Sequence, residues 1–279
     1  MNVVVGVDGS AVARNAAAWA AREAVRRGCG LRIVYADPTA HPGEEHFREP
    51  VARALSDAAG HASAEQPDLH VTSTALPGPP ERVLVAESAA AELLVVGDRG
   101  FGGFTGLLAG AVAVKVAAHA LGSVAVVPDV GDPPTFPSAG PVVAGVDDVE
   151  SSAPVLAQAF RVADSLGEPL HVVHTWEIVG IDLKWLRSRL PTEEIAETEQ
   201  RFLAEAMAGW QERFPGVAVE RIVGRGSPVA ALINHSTEAQ LVVVGARGRG
   251  GVAGAHLGST SHKLIHHTPS PLLIVRSRP

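Results

Sequence analysis

Leu241-Val-Val-Val-Gly245-Ala-Arg-Gly248-Arg-Gly-Gly-Val-Ala-Gly-Ala-His-Leu-Gly258-Ser259-Thr260 joins a β-branched apolar run to a glycine-studded loop, which ends at the hydroxyl-bearing start of a helix. Glycines let backbone N–H groups turn inward and approach an anion, and a helix N-terminus adds free amides and its dipole. That is the chemistry of a phosphate cradle. The chain writes it a second time as Leu93-Leu-Val-Val-Gly97-Asp-Arg-Gly100-Phe-Gly-Gly-Phe-Thr-Gly-Leu-Leu-Ala-Gly110-Ala111.

Two copies imply a duplication, and the offset tests it. Residues 78–128 align with residues 226–276 at a constant shift of 148, with 18 identities over 51 positions and no gap. The identities include Gly97/Gly245, Arg99/Arg247, Gly100/Gly248, Gly110/Gly258, Lys115/Lys263 and His119/His267. The N-terminal parts align at a shift of 139, Val3–Asp8 against Val142–Asp147, and that register holds through Gly28/Gly167 and Val34/Val173. The difference of nine is an insertion in the second half, between its second and third strands. The expected organisation is a domain over 1–128, a Pro- and Gly-rich stiff linker over 129–140, and a homologous domain over 141–279.

Composition fits two globular cores. The 279 residues are 46% hydrophobic, and the net charge of −7 lacks the basic surface that general nucleic-acid binding needs. No run of 18 apolar residues suggests a membrane span, and the opening strand Asn2–Val7 carries no signal-peptide pattern. Cys29 is the sole cysteine, which excludes an intrachain disulfide and points to a reducing cytoplasm.

Strands and helices alternate. Apolar runs at 3–7, 31–36, 70–75, 93–96 and 124–127 predict strands, with helices near 11–28, 45–65, 79–90 and 110–120. The second half predicts strands at 142–146, 170–175, 217–223, 241–244 and 272–275, and helices near 151–166, 192–213, 227–238 and 259–268. Strands this apolar suit a parallel sheet covered on both faces, so the fold class is α/β, two tandem doubly wound domains. Ligands in such folds bind beyond the carboxyl ends of the strands, where strand order reverses. Asp8 and Gly97–Gly110 fall there, as do Asp147 and Gly245–Gly258.

The opening Val-Gly-Val-Asp8-Gly-Ser and the Gly-x2-Gly-x9-Gly-Ser/Thr spacing after the fourth strand resemble the universal stress protein family, in its tandem-domain, ATP-binding branch. The resemblance covers both halves. It implies a five-stranded parallel sheet of order 3-2-1-4-5 in each, flanked by helices. It further implies ATP, with or without Mg2+, between the ends of the first and fourth strands. Domain pairing through the fifth strands, as a pseudo-dimer, is implied near Val124–Val127 and Leu272–Val275; a homodimer and an unidentified protein partner are its further partner expectations.

Carried over position by position, the nucleotide site of the second half comprises Gly145, Asp147 and Thr175, then Gly245, Ala246, Arg247, Gly248, Arg249, Gly250 and Gly251, and finally Gly258, Ser259, Thr260 and Ser261. Asp147 and the Thr175 backbone would take the adenine or ribose, with Gly145 leaving room. The residues from 245 to 251 would wrap the phosphates, and Ser259–Ser261 would cap them. The first half offers Gly6, Asp8, Ala36, Gly97, Arg99, Gly100, Gly102, Gly103, Gly110, Ala111 and Val112. Ala111 replaces the family hydroxyl. One hydrogen bond to a charged group is worth roughly 1.5–3 kcal/mol, so the first half should grip phosphate about 10- to 100-fold less tightly. In the second half Asp147-Asp148-Val149 departs from the usual Asp-Gly-Ser and adds a negative charge near the cleft.

Other readings of these residues stay open. Asp8 and Asp147 fit either helix caps or ligands, Ser259 fits an N-cap, and Lys115 and Lys263 fit a solvated helix face. His262 and His266 lie one turn apart, but the first half has Val114 and Ala118 there, which favours a polar face over a metal site. The insertion around Ile178–Leu190 fits a lid, a partner surface or a variable loop. The chain contains no P-loop, no dinucleotide fingerprint and no hydrolase elbow. Asp98 is a candidate base for hydrolysis, yet Ala246 stands at its repeat. The expected function is a nucleotide-dependent sensor or regulator in stress response, with no catalytic residue assigned. A slow ATP hydrolase and a scaffold that has lost nucleotide are the alternatives.

Overall fold

The computed structural model describes residues 1–40, 49–100, 110–131, 136–176, 192–248 and 256–276. The first half runs β1 (Val3–Val7), α1 (Ala11–Arg26), β2 (Leu31–Asp37), α2 (Glu49–Glu65), β3 (Val71–Pro77), α3 (Pro80–Glu87), β4 (Leu93–Gly97), α4 (Ala111–His119) and β5 (Val124–Val127). The second runs β6 (Val142–Val146), α5 (Val149–Leu166), β7 (Leu170–Trp176), α6 (Thr192–Ala206), α7 (Trp210–Arg213), β8 (Val219–Arg225), α8 (Pro228–Ser236), β9 (Leu241–Gly245), α9 (Ser259–His267) and β10 (Leu272–Val275).

The strands form one ten-stranded sheet of order β3-β2-β1-β4-β5-β10-β9-β6-β7-β8. Each half is parallel and follows the 3-2-1-4-5 order that the resemblance implied. The halves join where β5 and β10 pair antiparallel, Val126 opposite Leu272 and Val124 opposite Ile274. Both seam strands are buried along their whole length. Alternate side chains therefore feed two layers: Ala125, Val127, Leu273 and Val275 join the core on one face, and Val124, Val126, Leu272 and Ile274 the core on the other. Each layer is continuous across both halves. Among the described residues no helix is long and apolar enough to cross a membrane.

Local sequence explains how the helices sit. The Ser10 hydroxyl accepts the Ala13 N–H at 3.1 Å and starts α1. Ala16, Ala17, Ala20, Ala21 and Ala24 are wholly buried, and their small side chains let α1 lie close on the sheet. In the second half Phe160 stands at the repeat of Ala21, and its ring stacks on Trp210 and Phe214 at centroid distances of 5.7 and 5.5 Å.

Some boundaries differ from the sequence reading. The helix expected over 192–213 is interrupted: α6 ends at Ala206, and α7 begins after Gly209, whose φ of 77° lies in the left-handed region that glycine favours. Strands β3 and β8 end two residues later than the runs read for them, and they begin one and two residues later respectively. The segment expected as a linker is held near both ends. Asn15 Nδ2 donates to Gly131 O at 3.0 Å, and Gly140, at φ 132°, abuts the Glu238 carbonyl so closely that a Cβ would collide with it. The Ile178–Leu190 segment lies outside the described residues, though Trp176 beside it does not: it ends β7 with the Arg225 guanidinium 5.7 Å over its ring.

Candidate functional site

Chain crossings diverge between β1 and β4, because β1 leads towards β2 and β4 leads towards β5; β6 and β9 do the same in the second half. At each divergence a cavity opens beyond the strand ends. The N-terminal one measures about 530 Å³ and the C-terminal one about 520 Å³.

Most of the residues expected from sequence line these cavities. In the first half these are Gly6, Asp8, Ala36, Gly97, Arg99, Gly100, Gly110, Ala111 and Val112. In the second they are Gly145, Asp147, Thr175, Gly245, Arg247, Gly248, Gly258, Ser259, Thr260 and Ser261. Gly102, Gly103, Arg249, Gly250 and Gly251 lie outside the described residues. Ala246 is not on the wall: it is buried, its N–H donates to Val275 O at 3.0 Å, and its carbonyl accepts the Gly258 N–H at 2.7 Å. Ser261 lines the cavity with its hydroxyl already engaged, donating to Gly245 O at 2.6 Å. That bond ties the end of β9 to the start of α9. The room expected beside Gly145 belongs to a neighbouring side chain, since a Cβ there would come within 3.0 Å of Leu232 Cδ1.

Steric fit explains the glycines better than backbone freedom does. A Cβ on Gly97 would lie 2.7 Å from Val12 Cγ1, and a Cβ on Gly100 would collide with the Asp8 carboxylate. Gly248 meets Asp147 in the same way. The first-strand aspartate and the loop glycine are thus packed partners in both halves. Asp8 also accepts the Ser10 N–H through Oδ1 at 3.0 Å, so it organises the entry to α1 while facing the cavity. Neither α4 nor α9 has a side-chain cap at its glycine N-cap, Gly110 or Gly258. Their first turns begin at Ala111 and Ser259, both on the cavity walls, with no side chain capping the first-turn amides.

Charge is distributed unequally. Arg99 lies 3.9 Å from Asp98 and 3.6 Å from Asp129, while Arg247 forms no ion pair among the described residues. Arg276 comes near Arg247; burial first, and that neighbouring charge second, hold its guanidinium below the usual range. Its Nη2 donates to the carbonyls of Ala117, Ala118 and His256 at 2.6–2.8 Å, clamping the end of α4 across the seam.

Asp98 is buried, and desolvation pushes its carboxyl up to about 6, against the opposing pull of the Asp129 N–H and of Arg99. Its folded value lies above the unfolded one. Protonated Asp98 is therefore neutral to stability below about pH 3.8, and its ionisation withdraws stability as pH rises through about 6. Asp98→Asn keeps an oxygen acceptor for the Asp129 N–H. It should raise stability at pH 8 by up to about 3 kcal/mol, two units at about 1.4 kcal/mol each, and change little at pH 3.5. Urea titrations at the two pH values check this; an equal effect at both would rule out the charge as the cause.

Several features on the walls were not read from sequence. Ser152 lines the C-terminal cavity and is 2% exposed. Its Oγ and the Thr175 Oγ1 are buried hydroxyl oxygens without a hydrogen-bond partner among the described residues. Pairing Ser152 with Ala13 at the shift of 139 was the available signal. Behind this wall His174 bridges two elements: Nδ1 meets Val146 O at 2.9 Å and Nε2 meets Glu199 Oε2 at 2.8 Å. A carbonyl only accepts, so Nδ1 carries a proton, and the bridge fixes the end of β6 from which Asp147 projects.

Comparison with known proteins agrees with this architecture. The model of the universal stress protein family matches residues 1–128 and again residues 139–276. The chain is 33% identical over 304 aligned residues to universal stress protein Mb2019 of Mycobacterium bovis, covering 99% of this chain and 95% of that protein. It is 35% identical over 292 residues to universal stress protein Rv2623 of Mycobacterium tuberculosis, covering 99% and 96%. A crystal structure of a universal stress protein from Archaeoglobus fulgidus DSM 4304 shares the fold, with a TM-score of 0.67 at 20% identity over 99% of this chain and 97% of that one. With near-complete coverage of its relatives and a match in each half, the chain belongs to the universal stress protein family.

Proposed function

We propose that the protein binds adenine nucleotide, ATP with or without Mg2+, beyond the ends of β1 and β4 and of β6 and β9. In this reading it acts as a nucleotide-dependent regulator of a stress response in the cytoplasm, working through a protein partner. The observation that carries the proposal is the construction of the C-terminal wall. Gly245, Gly248 and Gly258 bring backbone to the cavity at the N-terminus of α9, with Arg247 beside them. Ser152 Oγ and Thr175 Oγ1 are polar atoms on the same wall without partners among the described residues. Buried hydroxyls without partners are costly, and a ligand that bonds them removes the cost.

Binding is favoured over hydrolysis because Asp98 lines the first cavity while its repeat position is Ala246, which is buried off the second wall. Asp98 Oδ1 is moreover held by the Asp129 N–H at 3.0 Å. Among the described residues the walls thus offer cradles and hydroxyls but no repeated acid–base pair. The test is mass spectrometry of small molecules released from the purified, acid-denatured full chain, followed by add-back of ATP to stripped protein. Release or rebinding of an adenine nucleotide is the expected result. A chain that carries none and binds none after add-back would leave a scaffold on an inherited fold.

A further inference from the structure

Aligned through the repeat, the two cavity walls differ most in their hydroxyls: the first half has Tyr35, whose repeat partner His174 is off the other wall, and the second has hydroxyls on three elements. The start of α9 is Ser259-Thr260-Ser261, and the start of α4 is Ala111-Val112-Ala113. Ser152 and Thr175 in the second half correspond to Ala13 and Ala36 in the first. Three separate elements have hydroxyls in one half and alkyl groups in the other. Because the Ser261 hydroxyl is bonded to Gly245 O, the difference at the helix start rests on Ser259 and Thr260.

The charges follow the same division. Asp98 lines the N-terminal cavity where Ala246 lies behind the other wall, and Asp98 and Asp129 both approach Arg99. In the C-terminal half Arg247 has Arg276 as its neighbour, and the repeat partner of Arg276 is Pro128. Asp148 is a counter-charge in the second half, but it is not on the cavity wall. A polyphosphate tail thus meets Arg247 and hydroxyls in one half, and an arginine flanked by two carboxylates, a buried carboxylate and methyl groups in the other.

We propose that the two halves take ligands of different charge: the C-terminal cavity a nucleoside triphosphate, and the N-terminal cavity a nucleoside bearing at most one phosphate. This rests on the nucleotide reading above and adds a division of labour to it. Each hydroxyl lost against a charged acceptor corresponds to about 10- to 100-fold in affinity. The two positions at the helix start therefore set an expected triphosphate preference of at least about 100-fold for the C-terminal half.

The test is calorimetric titration of the full chain with ATP, and then of the ATP-saturated chain with adenosine and with AMP. One tight ATP site per chain, followed by a second site filled by adenosine or AMP, is the expected result. In the double variant Asp98→Ala/Ala111→Ser, ATP stoichiometry should rise from one towards two. Two ATP sites of affinity within 10-fold in the wild type would overturn the division and leave the nucleotide reading standing. So would an ATP-saturated chain that accepts neither adenosine nor AMP, or a double variant whose melting temperature is not lowered and that remains at one ATP. Absence of binding by all three ligands would overturn both.

Discussion

Gly248→Ala should lower ATP affinity in the C-terminal half by at least about 100-fold while leaving the N-terminal cavity able to bind. The added Cβ would occupy the place of the Asp147 carboxylate, so either the loop or the aspartate must move. Both belong to the same wall, one on the phosphate side and the other at the end of β6. A displacement of the cradle by an ångström misaligns several backbone donors together, and the loss of two charge-assisted hydrogen bonds already exceeds 100-fold. Gly248 is half-buried at the end of the described β9 loop, outside both hydrophobic layers, so the melting temperature should hardly change. Titration calorimetry and a thermal melt on the same preparation separate the two effects. Unchanged ATP affinity would place the phosphates elsewhere.

Phe160→Ala should have the opposite profile, a large loss of stability with no direct contact to the cavity. Phe160 is fully buried in α5 and stacks on Trp210 and Phe214, which hold α7 and the chain after it against the core. Truncating a buried phenylalanine costs about 3–5 kcal/mol through lost transfer energy and the cavity it leaves. At roughly 2–4 °C per kcal/mol for a chain of this size, the melting temperature should fall by on the order of 10 °C. Phe160→Leu retains much of the volume and should lose well under half as much. Equal losses for the two variants would mean that the site refills by local collapse.

The repeat made much of this molecule legible. Val142–Asp147 aligned with Val3–Asp8 fixed the first strand of each half, and the apolar runs before Gly97 and Gly245 fixed the fourth. Glycine spacing then located both cavities, because parallel α/β sheets place loops of that kind at one end. The strand order and the pairing of β5 with β10 came from the family resemblance; alternation of strands and helices leaves both open.

The remainder depended on contacts between distant positions. The Ser261 hydroxyl reads as a ligand donor until its bond to Gly245 O is seen, and Ala246 reads as part of the cradle until its backbone is found tied to Val275 and Gly258. Arg276 reaches the carbonyl of Ala118, 158 positions away, a contact that no local pattern encodes. The break at Gly209 had a local signal, a glycine inside an amphipathic stretch, but the flanking helix formers carried the reading through it. Asp98 was visible as a carboxylate in the loop; its desolvation follows only from its burial in the folded chain.

The central claim is that the glycine-lined wall at the start of α9 holds a phosphate chain. A crystal structure of the full protein grown with ATP tests it directly. Phosphate density within hydrogen-bonding distance of the amides of Gly248 and Ser259, with the nucleoside extending towards Thr175 and Ser152, is the result expected. A cavity left empty at saturating ATP, or a nucleotide bound with its phosphates directed away from α9, would contradict it.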